Sequence, residues 1–162
     1  MQNITLDYIL NHTFEKTGLE LLYSERKRTS RRFAQNMLSM LPHSDEQKMQ
    51  DLKVELDRIL YSKNLSNAAF ESRTNIKMNS FRKTLNGGER RRIQRVTVAK
   101  FVIGLKLNLN EADKLFALES QPLAPNIVLL DAVVVHCINE HHDIDEFFET
   151  CEQVGLNVKA AE

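Results

Sequence analysis

Apolar residues recur along this chain at three- and four-residue intervals, with little strict alternation, and that periodicity predicts helices. Leu6, Ile9, Leu10 and Phe14 share one helical face. Leu19, Leu21, Leu22, Phe33, Met37, Leu38 and Leu41 extend a looser helical reading to residue 41. Pro42 interrupts it. Ser44, followed by Asp45, Glu46 and Gln47, then reads as a helix start with acids at the positive end of the dipole. Met49, Leu52, Leu56, Ile59 and Leu60 form a clear stripe, and Asn64 closes that helix.

Shorter elements follow. Ser66 or Asn67 caps "NAAFESR", and Met78, Phe81 and Leu85 give helical spacing over 77–85. Thr97 is read as the cap of "VAKFVIGLKL" and Asn110 as the cap of "EADKLFALES". The segment "NIVLLDAVVVHCIN" is ambiguous, because its valines suit a strand while Ile127, Leu130, Val134 and Ile138 make a helical stripe. "DIDEFFETCEQVGL" reads as a helix with Asp143 as cap and Gly155 as stop. The expected class is all-α, with residues 1–45 as an N-terminal helical extension and 46–162 as the main helical domain.

Composition narrows the class of protein without naming a chemistry. With 162 residues, 42% hydrophobic and 27% charged, the chain suits a soluble globular protein with a substantial core. Five glycines and three prolines leave few tight turns for a many-stranded sheet. The N-terminus lacks a signal-peptide pattern, and the most apolar run, 127–138, is too short to span a bilayer. Cys137 and Cys151 form no framework or CxxC pair, so a reducing cytoplasm is expected.

The zero net charge conceals a split. Residues 101–162 carry three Lys/Arg against eleven Asp/Glu, a net of −8, which leaves 19 against 11, or +8, in residues 1–100. A basic part of this kind suits a polyanionic partner. Two clusters concentrate it: Arg26, Lys27, Arg28, Arg31 and Arg32, and Arg90, Arg91, Arg92 and Arg95 in "GGERRRIQR". The second suits phosphate contact, with a solvated charge run as its alternative; the first suits a second DNA or RNA contact, or a pairing with the acidic half within the chain or across a dimer. His136, Cys137, His141, His142, Asp143 and Cys151 have no metal-ligand spacing, so neither metal nor other cofactor is expected. Without GxSxG, a P-loop or GxGxxG, no enzyme is expected either.

The stretch from 64 to 88 has the parts of two short helices joined by a tight turn. Phe70 is the apolar anchor of the first, and Asn75 tolerates a left-handed turn. Ile76 plugs the space between them and Phe81 faces inward. Lys77, Asn79, Ser80, Arg82 and Lys83 are then left mainly outward, all able to hydrogen-bond base edges or phosphates.

"NLSNAAFESRTNIKMNSFRKTLNGG" resembles the helix-turn-helix of lambda-repressor-like (XRE-type) regulators. Residues 52–156 are more closely similar to a bacterial helical module found alone or attached to macro domains. That likeness is carried by "KNLSN", "NI", "SFRK", "LKLNLNEADKLF", the apolar run near 127–138 and "DIDEFFE". It implies a transcription regulator that binds double-stranded DNA, with Ser66 and Asn67 near the backbone. Lys77, Asn79 and Ser80 would open the recognition helix, with Arg82 and Lys83 one turn on. Two residues depart from the regulator pattern: Glu71, where a small residue is preferred, and Thr84, where an apolar one is usual. A homodimer is the expected assembly. The alternative is a protein-interaction module (adaptor, antitoxin-like or defence-related) that keeps the fold without reading DNA.

Overall fold

A computed structural model describes residues 3–19, 44–88 and 91–158. The Arg26–Arg32 cluster, the apolar positions from 21 to 41, and Arg90 lie outside them. The described residues are all-α, with eight helices and no strand. In chain order these are α1 (Leu6–Asn11), α2 (Ser44–Lys63), α3 (Asn67–Thr74), α4 (Met78–Leu85), α5 (Arg95–Gly104), α6 (Leu109–Glu119), α7 (Leu129–Asn139) and α8 (Ile144–Gln153).

The ambiguous apolar segment is the helix α7, and its composition explains its place. Every residue from Leu130 to Cys137 is buried, as expected of a helix that is apolar all round. α1, α5 and α8 pack against it, while α2 lies along α6. Its leading valine shows the other tendency: Val128 precedes the helix and forms an isolated parallel bridge with Lys16.

The N-terminal helix is shorter than its apolar periodicity predicts, ending at Asn11, so Phe14 lies beyond it. Tertiary bonds take over there. Leu129 N–H donates to the Lys16 carbonyl at 2.9 Å and Leu130 N–H to Thr17 at 2.9 Å. Ile4 and Ile9 are 1% and 3% exposed in the common core, and His136 Nδ1 donates to the Ile4 carbonyl at 2.9 Å.

Two cap assignments also change. α5 begins two residues before Thr97, with Gln94 at its N-cap and no side-chain capping bond. Arg95 and Val96 are already buried there, so tertiary contact starts the helix ahead of the residue that local propensity favours. α6 is capped by Asn108 instead of Asn110. Glu111 N–H donates to Asn108 Oδ1 at 2.9 Å, and Asn108 N–H donates to the Glu111 carboxylate at 3.3 Å, a closed capping box. Asp113, which would have completed the box from Asn110, instead accepts from Leu123 N–H at 2.9 Å. Asp143 caps α8 with a second capping box, and Gly155 at φ 78° follows its end.

Candidate functional site

α3 and α4 are each eight residues long, and three residues separate them. Ser66 caps α3 by accepting from Ala69 N–H at 3.1 Å. The chain leaves α3 through Asn75 at φ 55°, ψ 34°, the left-handed conformation that Asn reaches more readily than other residues with a Cβ. Thr74, fully buried, holds the turn on both sides. Its hydroxyl donates to the Phe70 carbonyl at 2.7 Å and accepts from Ile76 N–H at 3.2 Å.

Three phenylalanines fasten this pair to α5. The ring centroids of Phe70, Phe81 and Phe101 lie 5.4 to 6.2 Å apart in tilted and edge-on pairs, a range in which aromatic contact adds to area burial. Gly104 brings the backbones close, since a Cβ there would lie 2.7 Å from Thr74 Cα.

With Met78 and Phe81 turned into the core, the opposite side of α4 is polar and basic. Lys77, Asn79, Ser80, Arg82 and Lys83 are all exposed, as are Ser66 and Asn67 at the start of α3. Glu71 is exposed rather than wedged between the helices, so it needs no buried partner. Thr84 is half-buried and its hydroxyl donates to the Ser80 carbonyl at 3.1 Å.

The arginine cluster does not act as one surface. Arg91 is exposed and Arg92 half-buried. Lys53 Nζ braces the preceding loop by donating to the Gly88 carbonyl at 2.7 Å. Burial, and then the charge of Arg92, push the Lys53 ammonium below its usual pKa.

Arg95 requires a correction, because it is 3% exposed and belongs to the interior. Its Nε and Nη2 donate to the two Asp131 oxygens at 2.9 and 2.7 Å, and Nη1 donates to Glu119 at 2.8 Å. Further bonds reach the Ser120 hydroxyl and the Gln121 carbonyl, at 3.2 and 3.1 Å. The guanidinium lies 4.7 Å from the Phe116 ring centroid. Burial works against the charge, but bonding and attraction from Asp131 and Glu119 outweigh it and raise the Arg95 pKa. A side chain so committed has no donor to spare for a phosphate at the surface. Its partners lie 24 and 36 residues away, so no local pattern could have revealed the pairing.

Cys137 and Cys151 are buried, and desolvation pushes both thiols up to about 12. Among the described residues no group of three His, Cys, Asp or Glu is placed to hold a metal ion. Lys106 Nζ donates to the carbonyls of His141 and His142 at 3.0 and 2.9 Å, tying down the turn after α7. No helix among the described residues is long and apolar enough to cross a membrane.

Comparison with known proteins returns no match: no family model, no curated protein and no solved structure matches this chain.

Proposed function

We propose that this chain is a sequence-specific DNA-binding transcriptional regulator, bacterial or phage, acting in the cytoplasm as a homodimer. In this reading α3 and α4 are a lambda-repressor-like helix-turn-helix, with α4 as the recognition helix in the major groove. One observation carries it. A short helix is pinned from behind by Met78 and Phe81, and its outward side holds Lys77, Asn79, Ser80, Arg82 and Lys83 without an intervening acid. Such side chains match the acceptors and donors of base edges and the charge of phosphates. Ser66 and Asn67 add donors for the DNA backbone, and Arg91 and Arg92 add cations after the end of α4; Arg90 belongs to the same basic run in the sequence. Arg95 has no part in the interface.

Selection of binding sites from random duplexes, followed by fluorescence anisotropy at two salt concentrations, tests the reading. The expected result is a defined site and an affinity that falls steeply with salt. Replacing Arg82 and Lys83 with Ala weakens binding at least tenfold, since each base-edge contact contributes about 1–3 kcal/mol. Absent or salt-insensitive binding, or a double variant that binds like the parent, overturns it.

A second reading, a protein-interaction module that keeps the fold, draws on α2. Val54 and Tyr61 are 67% and 88% exposed and two helical turns apart, which puts them on one face. A stoichiometric protein partner whose binding is lost on Val54→Asp or Tyr61→Asp, with DNA binding absent, would favour it.

A further inference from the structure

α2, at 20 residues the longest of the described helices, gives one face to the core and the opposite one to solvent. Leu52, Leu56 and Ile59 are buried on the inner side, where the helix lies along α6. At about 100° per residue, the positions diametrically opposite are Gln47, Asp51, Val54, Arg58 and Tyr61. All five are exposed, Val54 by 67% and Tyr61 by 88%. They follow one another at alternating steps of four and three residues, the spacing of a seam between two helices. The order of charges along the seam is its most specific feature. Asp51 stands one turn before Val54 and Arg58 one turn after it. Within one chain the two are about 10 Å apart along the axis, too far to pair with each other.

We infer that the outer face of α2 is a docking surface for a second copy of this chain, packed antiparallel about a two-fold axis at Val54. In that arrangement each Asp51 meets the partner's Arg58, and each Tyr61 meets the partner's Gln47. A parallel copy in register sets Asp51 against Asp51 and Arg58 against Arg58, which repel. The pattern is self-complementary in one orientation, and a two-fold contact between identical chains requires self-complementarity, since each residue that meets another is met by it in return. Arg58 serves Glu55 with Nε and Nη2 while its side chain stays 63% exposed, and a guanidinium has further N–H donors on Nη1 for a second carboxylate. Asp51 accepts from Gln47 Nε2 at 2.9 Å through one oxygen, and a carboxylate accepts at both. Val54 supplies the apolar centre and the charged pairs its rim. A seam of about four turns is small beside the roughly 1,600 Å² of a standard interface, so the dimer is weak and reversible. This surface deepens the homodimer of the regulator reading and rests on that part of it, not on DNA binding.

Sedimentation equilibrium of the full chain without DNA tests the proposal, with circular dichroism to check the fold of each variant. The parent is expected to dimerise reversibly with a Kd between about 1 μM and 1 mM. Val54→Asp, which sets two carboxylates together at the axis, weakens dimerisation at least tenfold. Asp51→Arg, which faces arginine with arginine, does the same. Adding Arg58→Asp to Asp51→Arg restores the parent affinity within threefold, because the exchanged charges again meet their opposites. A parallel pair predicts no difference among these last two variants and the parent. If the double variant fails to fold, the two single substitutions decide alone. A parent that stays monomeric to about 1 mM overturns the proposal. So does a dimer that neither single substitution weakens, a folded double variant as weak as Asp51→Arg, or a monomer that binds a different protein through Val54 and Tyr61. Because no DNA is present, a chain that dimerises in this way without binding DNA sinks only the regulator reading. One that selects a DNA site yet stays monomeric sinks only this surface.

Discussion

At the scale of single residues, Arg95 has the most consequential placement in the molecule. In sequence it is the last arginine of a basic run; in space it joins α5 to the end of α6 and to α7. Asp131 is fully buried, and besides two bonds from Arg95 it accepts from Ala124 N–H at 2.8 Å. Removing one partner of such a pair leaves a charge stranded in the interior, which costs about 3–5 kcal/mol. Asp131→Ala is therefore expected to lower unfolding stability by that amount in urea titrations. Arg91→Ala, four residues before Arg95 in the same basic run but exposed, should stay within about 0.5 kcal/mol of the parent. Equal effects of the two substitutions would contradict the division of the arginines into one buried and one exposed.

Elements depend on a few positions where backbone geometry admits few residues. The passage from α3 to α4 needs a left-handed residue at Asn75, and α5 needs a glycine where it crosses the end of α3. Asn75→Gly is expected to be nearly neutral, whereas Asn75→Val should cost about 1–2 kcal/mol, because a β-branched side chain clashes in that region. Gly104→Ala should cost about 1–3 kcal/mol by overpacking, since its methyl would press on the Arg73 carbonyl and Thr74 Cα. Thermal denaturation of the three variants checks the order. Asn75 and its role were legible from the pattern of Phe70, Ile76 and Phe81 around it. Gly104 was not, because its constraint comes from a helix thirty residues earlier.

Across the whole molecule, the N-terminal segment is structurally continuous with the core in its described part. Ile4 and Ile9 fill space against α7, Tyr8 Oη donates to Asn126 at 2.7 Å, and His12 Nε2 donates to the Asn126 carbonyl at 2.7 Å. Deleting residues 1–11 removes two buried isoleucines at roughly 2 kcal/mol or more each, a large share of a typical domain's 5–15 kcal/mol. The truncated chain is expected to show a clearly lower denaturation midpoint by circular dichroism. An unchanged midpoint would mean that this packing contributes nothing to stability. The segregation of charge also belongs to this scale. Lys77, Arg82, Lys83 and Arg91 are exposed around α4, while Asp145, Glu146, Glu149 and Glu152 are exposed along α8. Each like-charged surface lowers the local tolerance for the same sign and raises it for the opposite one, which orients any charged partner.

Local periodicity and turn chemistry were sufficient for the all-α class, for α2 with Asn64 after its end, for the turn at Asn75, and for the inward Phe70 and Phe81. These follow from interactions within one or two turns of helix, which the order of residues states directly. The sequence also identified Lys77, Asn79, Ser80, Arg82 and Lys83 as outward, because fixing one helical face fixes the other. Only the tertiary structure decided that the segment at 129–139 is a helix, that Asn108 rather than Asn110 caps α6, and that α5 starts ahead of Thr97. It alone separated Arg95 from its neighbours by burying it. In each case the deciding energy comes from partners distant in the chain: burial on every side of α7, Leu123 drawing on Asp113, and Glu119 and Asp131 closing on one guanidinium. A linear pattern records which residues can make such bonds, but folding selects which of them meet.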